Sequence, residues 1–125
     1  MKAIVCRVGE DPHVEECADD LQAWQKLVGG YIQIVHLDDG VSLVCNEEGA
    51  LMDLPFNGFV PGRAPRLSDG TPVFTGPNTP PPGEFGQHRL FGTFAIVRVG
   101  AEGEFEPLVD RDVMMWLPVL LRRKG

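Results

Sequence analysis

The chain reads as an α+β domain, mostly antiparallel sheet, with one main N-terminal helix, a short C-terminal helix and a long Pro/Gly-rich loop. Three observations predict this. Apolar residues recur at helical spacing between Val14 and Val28. Two β-prone segments, Tyr31 to Leu37 and Val41 to Glu47, flank Asp39-Gly40, a strong hairpin signal. The 28 residues from Pro61 to His88 hold seven prolines and five glycines, which bars a helix and allows a strand only at an edge.

The elements follow in order. Lys2 to Val8 reads as a strand closed by the Gly9-Glu10-Asp11-Pro12 turn. From Val14 to Val28 the apolar set is Val14, Cys17, Ala18, Leu21, Trp24, Leu27 and Val28. Glu15 and Glu16 near the start and Lys26 near the end match the helix dipole, and Gly29 is a natural left-handed cap. A two-residue turn at Asp39-Gly40 pairs Asp38 with Val41. Val35 then faces Val44, Ile34 faces Cys45, Gln33 faces Asn46 and Tyr31 faces Glu48. That register puts Ile32, Ile34, Leu43 and Cys45 on a core face, and gathers Tyr31, Gln33, Asn46 and Glu48 at the polar end of the other.

Residues 61–88 form the Pro/Gly-rich loop, with Val73, Phe74 and Phe85 as its apolar anchors. Leu90 to Val99 reads as one strand, and the turn Gly100-Ala101-Glu102-Gly103 returns Glu104 to Leu108 beside it. Asp110 can cap a short helix carrying Val113, Met114, Trp116 and Leu117, which Pro118 stops or kinks. The apolar run Met114 to Leu121 either closes the core or forms the seam of a homo-oligomer, most simply a dimer, for which the Pro/Gly-rich loop is the other candidate.

The sequences Val28-Gly29-Gly30-Tyr31-Ile32, Asn46-Glu47-Glu48-Gly49 and Leu54-Pro55-Phe56-Asn57 follow one another closely. In this respect the chain resembles a small, uncharacterised domain family carried by bacteriophages, plasmids and some bacterial genomes. The likeness covers the first half and, more loosely, Gly92 to Val99. It implies a setting in mobile elements and a fold class, and no reaction.

Composition bounds the rest. At 125 residues and 43% hydrophobic, the chain has the size and make-up of one globular domain, residues 1–125, able to bury about two thirds of its unfolded surface. Its apolar runs are too short to span a bilayer and its start lacks a signal-peptide pattern, so no membrane partner and a cytoplasmic location are expected. A net charge of −7 argues against duplex nucleic acid, whose affinity comes largely from neutralised phosphates. Cys6, Cys17 and Cys45 lack a metal-binding spacing. His13 and Cys17 stand four apart, but two further ligands are missing. No metal and no cofactor is expected.

Candidate chemistry is sparse. Gly29-Gly30 follows a helix instead of preceding one, so a cap outweighs a phosphate loop. Glu47 and Glu48, adjacent on a strand, point to opposite faces and cannot straddle one bond. No nucleophile constellation emerges. Tyr31, Gln33, Asn46 and Glu48 could form a ligand-reading patch, weighed against Asn46 and Gly49 simply building the corner that leaves the hairpin. Arg63, Arg66 and Arg89 could grip a phosphate, weighed against ordinary solvated arginines. The expectation is a non-enzymatic binding protein that holds a small nucleotide-type ligand. The alternatives are an inhibitor that binds a host enzyme directly and, less well supported, a nucleotide hydrolase.

Overall fold

A computed structural model describes residues 1–38, 40–62 and 87–124. The strands are β1 (Lys2–Cys6), β2 (His13–Glu16), β3 (Ile32–His36), β4 (Val41–Asn46), β5 (Phe56–Pro61), β6 (Gln87–Phe91), β7 (Phe94–Val99) and β8 (Phe105–Glu106). Among the described residues two helices accompany them, α1 (Leu21–Val28) and α2 (Asp110–Leu121). The main sheet runs β2-β1-β7-β4-β3, with β8 pairing the end of β7, and β5 and β6 form a separate two-stranded sheet. Every pairing is antiparallel. The fold is α+β, as the sequence predicts.

Strand alternation divides the core in two. Ile4, Cys6, Leu43, Cys45, Phe94 and Ile96 point to the face covered by α2 and the β5–β6 ribbon, where they meet Val60, Leu90, Met115, Trp116 and Leu120. Ala3, Val5, Val44, Ala95 and Val97 point the other way, under Trp24 and Val28 of α1. The sheet residues on the α1 side are the smaller ones, alanine and valine against isoleucine, leucine and phenylalanine on the other. Strand β4 is covered on both faces and all six of its residues are buried.

That double coverage corrects the expected hairpin register. Leu37 and Val41 close the hairpin: the Leu37 amide donates to the Val41 carbonyl at 2.9 Å and the Val41 amide to Asp38 at 3.0 Å. The turn is one residue longer than two, and Gly40 supplies the left-handed residue such a turn needs, at φ 81°. The partners become Ile32 with Asn46, Gln33 with Cys45, Ile34 with Val44 and Val35 with Leu43. Ile34 is 37% exposed, not buried, whereas Cys45 is buried. Gln33 shares the face of Cys45, opposite to Asn46, so the four-residue polar patch does not form as expected.

Other boundaries move for similar reasons. His13–Glu16 is a strand, not the start of a helix: it pairs with β1, whose edge would otherwise leave its main chain open, from Lys2↔Glu16 to Val5↔His13. The helix begins after Asp20, whose carboxylate accepts from the Ala23 amide at 2.7 Å, and ends at Gly29 with φ 81°. His13 and Cys17 therefore do not share a helix face. Leu90 to Val99 is two strands broken at Gly92, with the break held by the Gly92 amide on the Pro55 carbonyl at 2.8 Å. Pro61, Gln87 and His88, placed in the loop by the sequence, belong to β5 and β6. The remainder of that loop, 63–86, lies outside the described residues.

The C-terminal segment closes the core. Met115, Trp116, Val119 and Leu120 are buried, while Met114 and Leu121 are exposed. The helix is preceded by Val109, not Asp110, as its N-cap. Asp112, three residues on, accepts from the Val109 amide at 2.9 Å and takes both arms of Arg98 at 2.7 and 2.8 Å. The helix also passes through Pro118 instead of ending there. The bond this proline forfeits is to the carbonyl of Met114, an exposed residue where water can serve. Among the described residues no helix is long and apolar enough to cross a membrane.

Candidate functional site

The helix cap and the corner after β4 meet to form a shallow recess. The Gln25 carbonyl, one turn before the end of α1, accepts from the amides of Gly29 at 2.9 Å and Gly30 at 3.0 Å. Asn46, at the end of β4, reaches back to donate to the Val28 carbonyl at 3.1 Å, and its other amide atom accepts from the Glu48 amide at 2.8 Å. Glu47 donates its amide to the Tyr31 carbonyl at 2.9 Å, which holds the entry to β3 against the exit from β4. Met52 and Leu54 are brought back by bonds to the carbonyls of Glu48 at 2.9 Å and Gly49 at 3.1 Å.

Between these segments lies a recess of about 320 Å³ lined by Gln25, Gly30, Tyr31, Asn46, Glu48 and Met52. This is the lower end of the range for small-molecule sites. The Tyr31 ring stands on its rim, 73% exposed. A Cβ at Gly30 would lie 2.8 Å from the Asn46 side-chain nitrogen, so any larger residue there displaces that amide.

Three predicted residues therefore come together, Tyr31, Asn46 and Glu48. Asn46 has both ends of its amide engaged in holding the corner, so Tyr31, Glu48 and Gln25 are the lining side chains left to read a ligand. Gln33 points away. Arg89 stands on β6, exposed, its guanidinium 5.8 Å from the centre of the Phe91 ring, and does not line the recess. Arg63 and Arg66 lie outside the described residues. Gln25 and Met52 were missed by the sequence reading. Only the position of Gln25, one turn before a glycine cap, hints that it sits beside the start of β3.

The recess is rich in acceptors. It lies at the C-terminal, negative end of the α1 dipole, carries the Glu48 carboxylate, and has no cationic side chain among its lining residues. Such a surface favours donor groups over phosphate oxygens.

Burial disfavours the thiolate at each cysteine. Burial pushes the Cys6 thiol up to about 12, partly offset by the nearby Arg123 charge, and pushes Cys45 up to about 11. Cys17 is also raised, first by burial and then by Glu15. All three are free thiols. Among the described residues no three His, Cys, Asp or Glu side chains converge as metal ligands.

The Asn46 corner and the recess belong to a small α+β domain. Residues 1–117 match the family described as Domain of unknown function (DUF3846), and the chain belongs to that family. No curated protein and no solved structure matches it.

Proposed function

We propose that this chain is a non-catalytic binding protein of a phage or other mobile element, sequestering a small nucleotide-type immune signal of the host. The observation that carries this reading is the recess at the end of α1, with the exposed Tyr31 ring beside the Glu48 carboxylate. The ring offers a stacking surface for a base, and the carboxylate and Gln25 offer partners for the amino edge of that base. The acceptor-rich rim turns the phosphates outward. In this proposal Arg63 and Arg66, and Arg89 of β6, are the candidates to receive them. The raised thiols agree with binding without chemistry.

The test is to incubate the protein with cyclic mono- and dinucleotides, remove free ligand, heat the complex and assay what is released. Intact ligand supports sequestration, and altered ligand makes the protein a hydrolase. Tyr31→Ala should weaken retention about tenfold, the loss of one base–aromatic stack of ~1–3 kcal/mol.

A second reading, an inhibitor that binds a host enzyme directly, draws on a different surface. Phe56 meets Phe59 and Phe91 edge-on at 5.2 and 5.7 Å on the ribbon face away from Val60 and Leu90, with Arg89 over Phe91. Aromatic residues with arginine are typical of interface hot spots. Absence of any nucleotide retention, with loss of inhibition in Phe56→Asp, would favour it.

A further inference from the structure

We infer that the open edge of β3 is an interface that pairs with β3 of a second copy of this chain. Among the described residues the path β2-β1-β7-β4-β3 ends on β2 and β3, and these two edges are protected very differently. The β2 edge is four residues long, follows Pro12 and carries Glu15 and Glu16. These are the usual devices against edge-to-edge pairing. The β3 edge, five residues long, has neither the proline nor the charges. From Tyr31 to Leu37 the chain reads Tyr-Ile-Gln-Ile-Val-His-Leu, without a charge, a proline or a glycine, in a molecule whose net charge is −7.

The main-chain directions fix the register. Leu37 donates to Val41, and the Tyr31 carbonyl accepts from Glu47, so the odd-numbered residues of β3 bond to β4. Ile32, Ile34 and His36 therefore turn their amides and carbonyls outward. An antiparallel copy placed on a two-fold axis at Ile34 sets Ile34 against Ile34 of the partner subunit, and Ile32 against His36 of the partner subunit. Each such pair joins two residues whose hydrogen-bonding groups both face the seam, which is what an isologous strand contact requires. The Ile34 side chain, 37% exposed in the single chain, then lies beside its own symmetry mate. Asp38 falls opposite Gly30, so no carboxylates are brought face to face. An uncharged strand is where two acidic chains can meet without direct repulsion.

Light scattering or sedimentation of the full chain tests this. The wild type should show twice 13.7 kDa at micromolar concentration. Ile34→Lys and Ile34→Glu, each placing like charges directly opposite on the axis, should each give the single-chain mass with unchanged circular dichroism. An equal mixture of the two should recover the dimer through the opposite pair. As a second measurement free of mutation, hydrogen exchange at the amides of Ile32, Ile34 and His36 should slow as protein concentration rises. A wild type of single-chain mass across this range, dimers that persist in both variants, a mixture that stays monomeric, or amides of Ile32, Ile34 and His36 whose exchange does not change with concentration would each overturn the proposal.

Discussion

Arg123 and Asn57, 66 positions apart, are locked together inside the protein: one guanidinium nitrogen, Nε, donates to both the main-chain carbonyl and the side-chain oxygen of Asn57, at 2.9 and 3.1 Å. The same guanidinium reaches the carbonyls of Leu120, Arg7 and Glu10 at 3.1, 3.0 and 2.6 Å. Asn57 in turn donates to the carbonyls of Cys6 and Gly92 at 2.9 and 2.8 Å. Both residues are buried. This pair ties the end of α2, the turn after β1, and the start of the ribbon into one polar knot in which every contact is to a carbonyl or amide oxygen.

Arg123→Ala should therefore destabilise the fold by about 2–4 kcal/mol, because several buried carbonyls lose their donor at once. In urea the midpoint should fall on the order of 1–2 M. Arg123→Lys should recover less than half of the loss, since an ammonium cannot span the same acceptors as the planar fork. A midpoint within error of the parent for Arg123→Ala would mean that water replaces the guanidinium without cost.

At the recess, Gly30→Ala and Asn46→Ala should be strongly coupled. The first forces a Cβ to 2.8 Å from the Asn46 amide, and the second removes that amide along with its bonds to Val28 and Glu48. Each alone should cost about 1–3 kcal/mol. The double variant should cost clearly less than their sum, because the clash disappears with the amide. Denaturation of the four proteins measures this coupling directly, and simple additivity would show that the Asn46 side chain swings clear.

The cysteines give a pH dependence with a definite sign. Cys6 and Cys45 stay protonated in the fold up to about 12 and about 11, against an ordinary 9.0, so the unfolded chain loses these protons first. Their contribution to stability is complete below pH 9 and is lost as pH rises toward those values. The urea midpoint should fall between pH 9 and 11, and more gently in Cys45→Ala. At pH 8 a thiol reagent should label the half-exposed Cys17 first and reach Cys6 and Cys45 only as the protein opens.

Short-range chemistry was legible in the sequence. The Gly29 cap, the β-prone arms on either side of Gly40 and the corner at Asn46 each depend on a few adjacent residues, and each is where the pattern puts it. Tyr31, Asn46 and Glu48 do meet at one recess, but through a hairpin register one residue away from the one the turn predicts.

What the sequence left open depends on neighbours far along the chain. His13–Glu16 has helical spacing, but the exposed edge of β1 takes it as a strand, and no local signal records that edge. The hairpin register turned on a single residue in the turn. Alternation alone could not settle it, because β4 is covered on both faces and both registers bury apolar side chains. The role of Asn57 became visible only when Arg123 was brought beside it from the other end of the chain. Local propensity and capping follow from neighbouring residues, whereas strand partners, buried polar knots and open edges are set by which surfaces are left to be covered once the whole chain has packed.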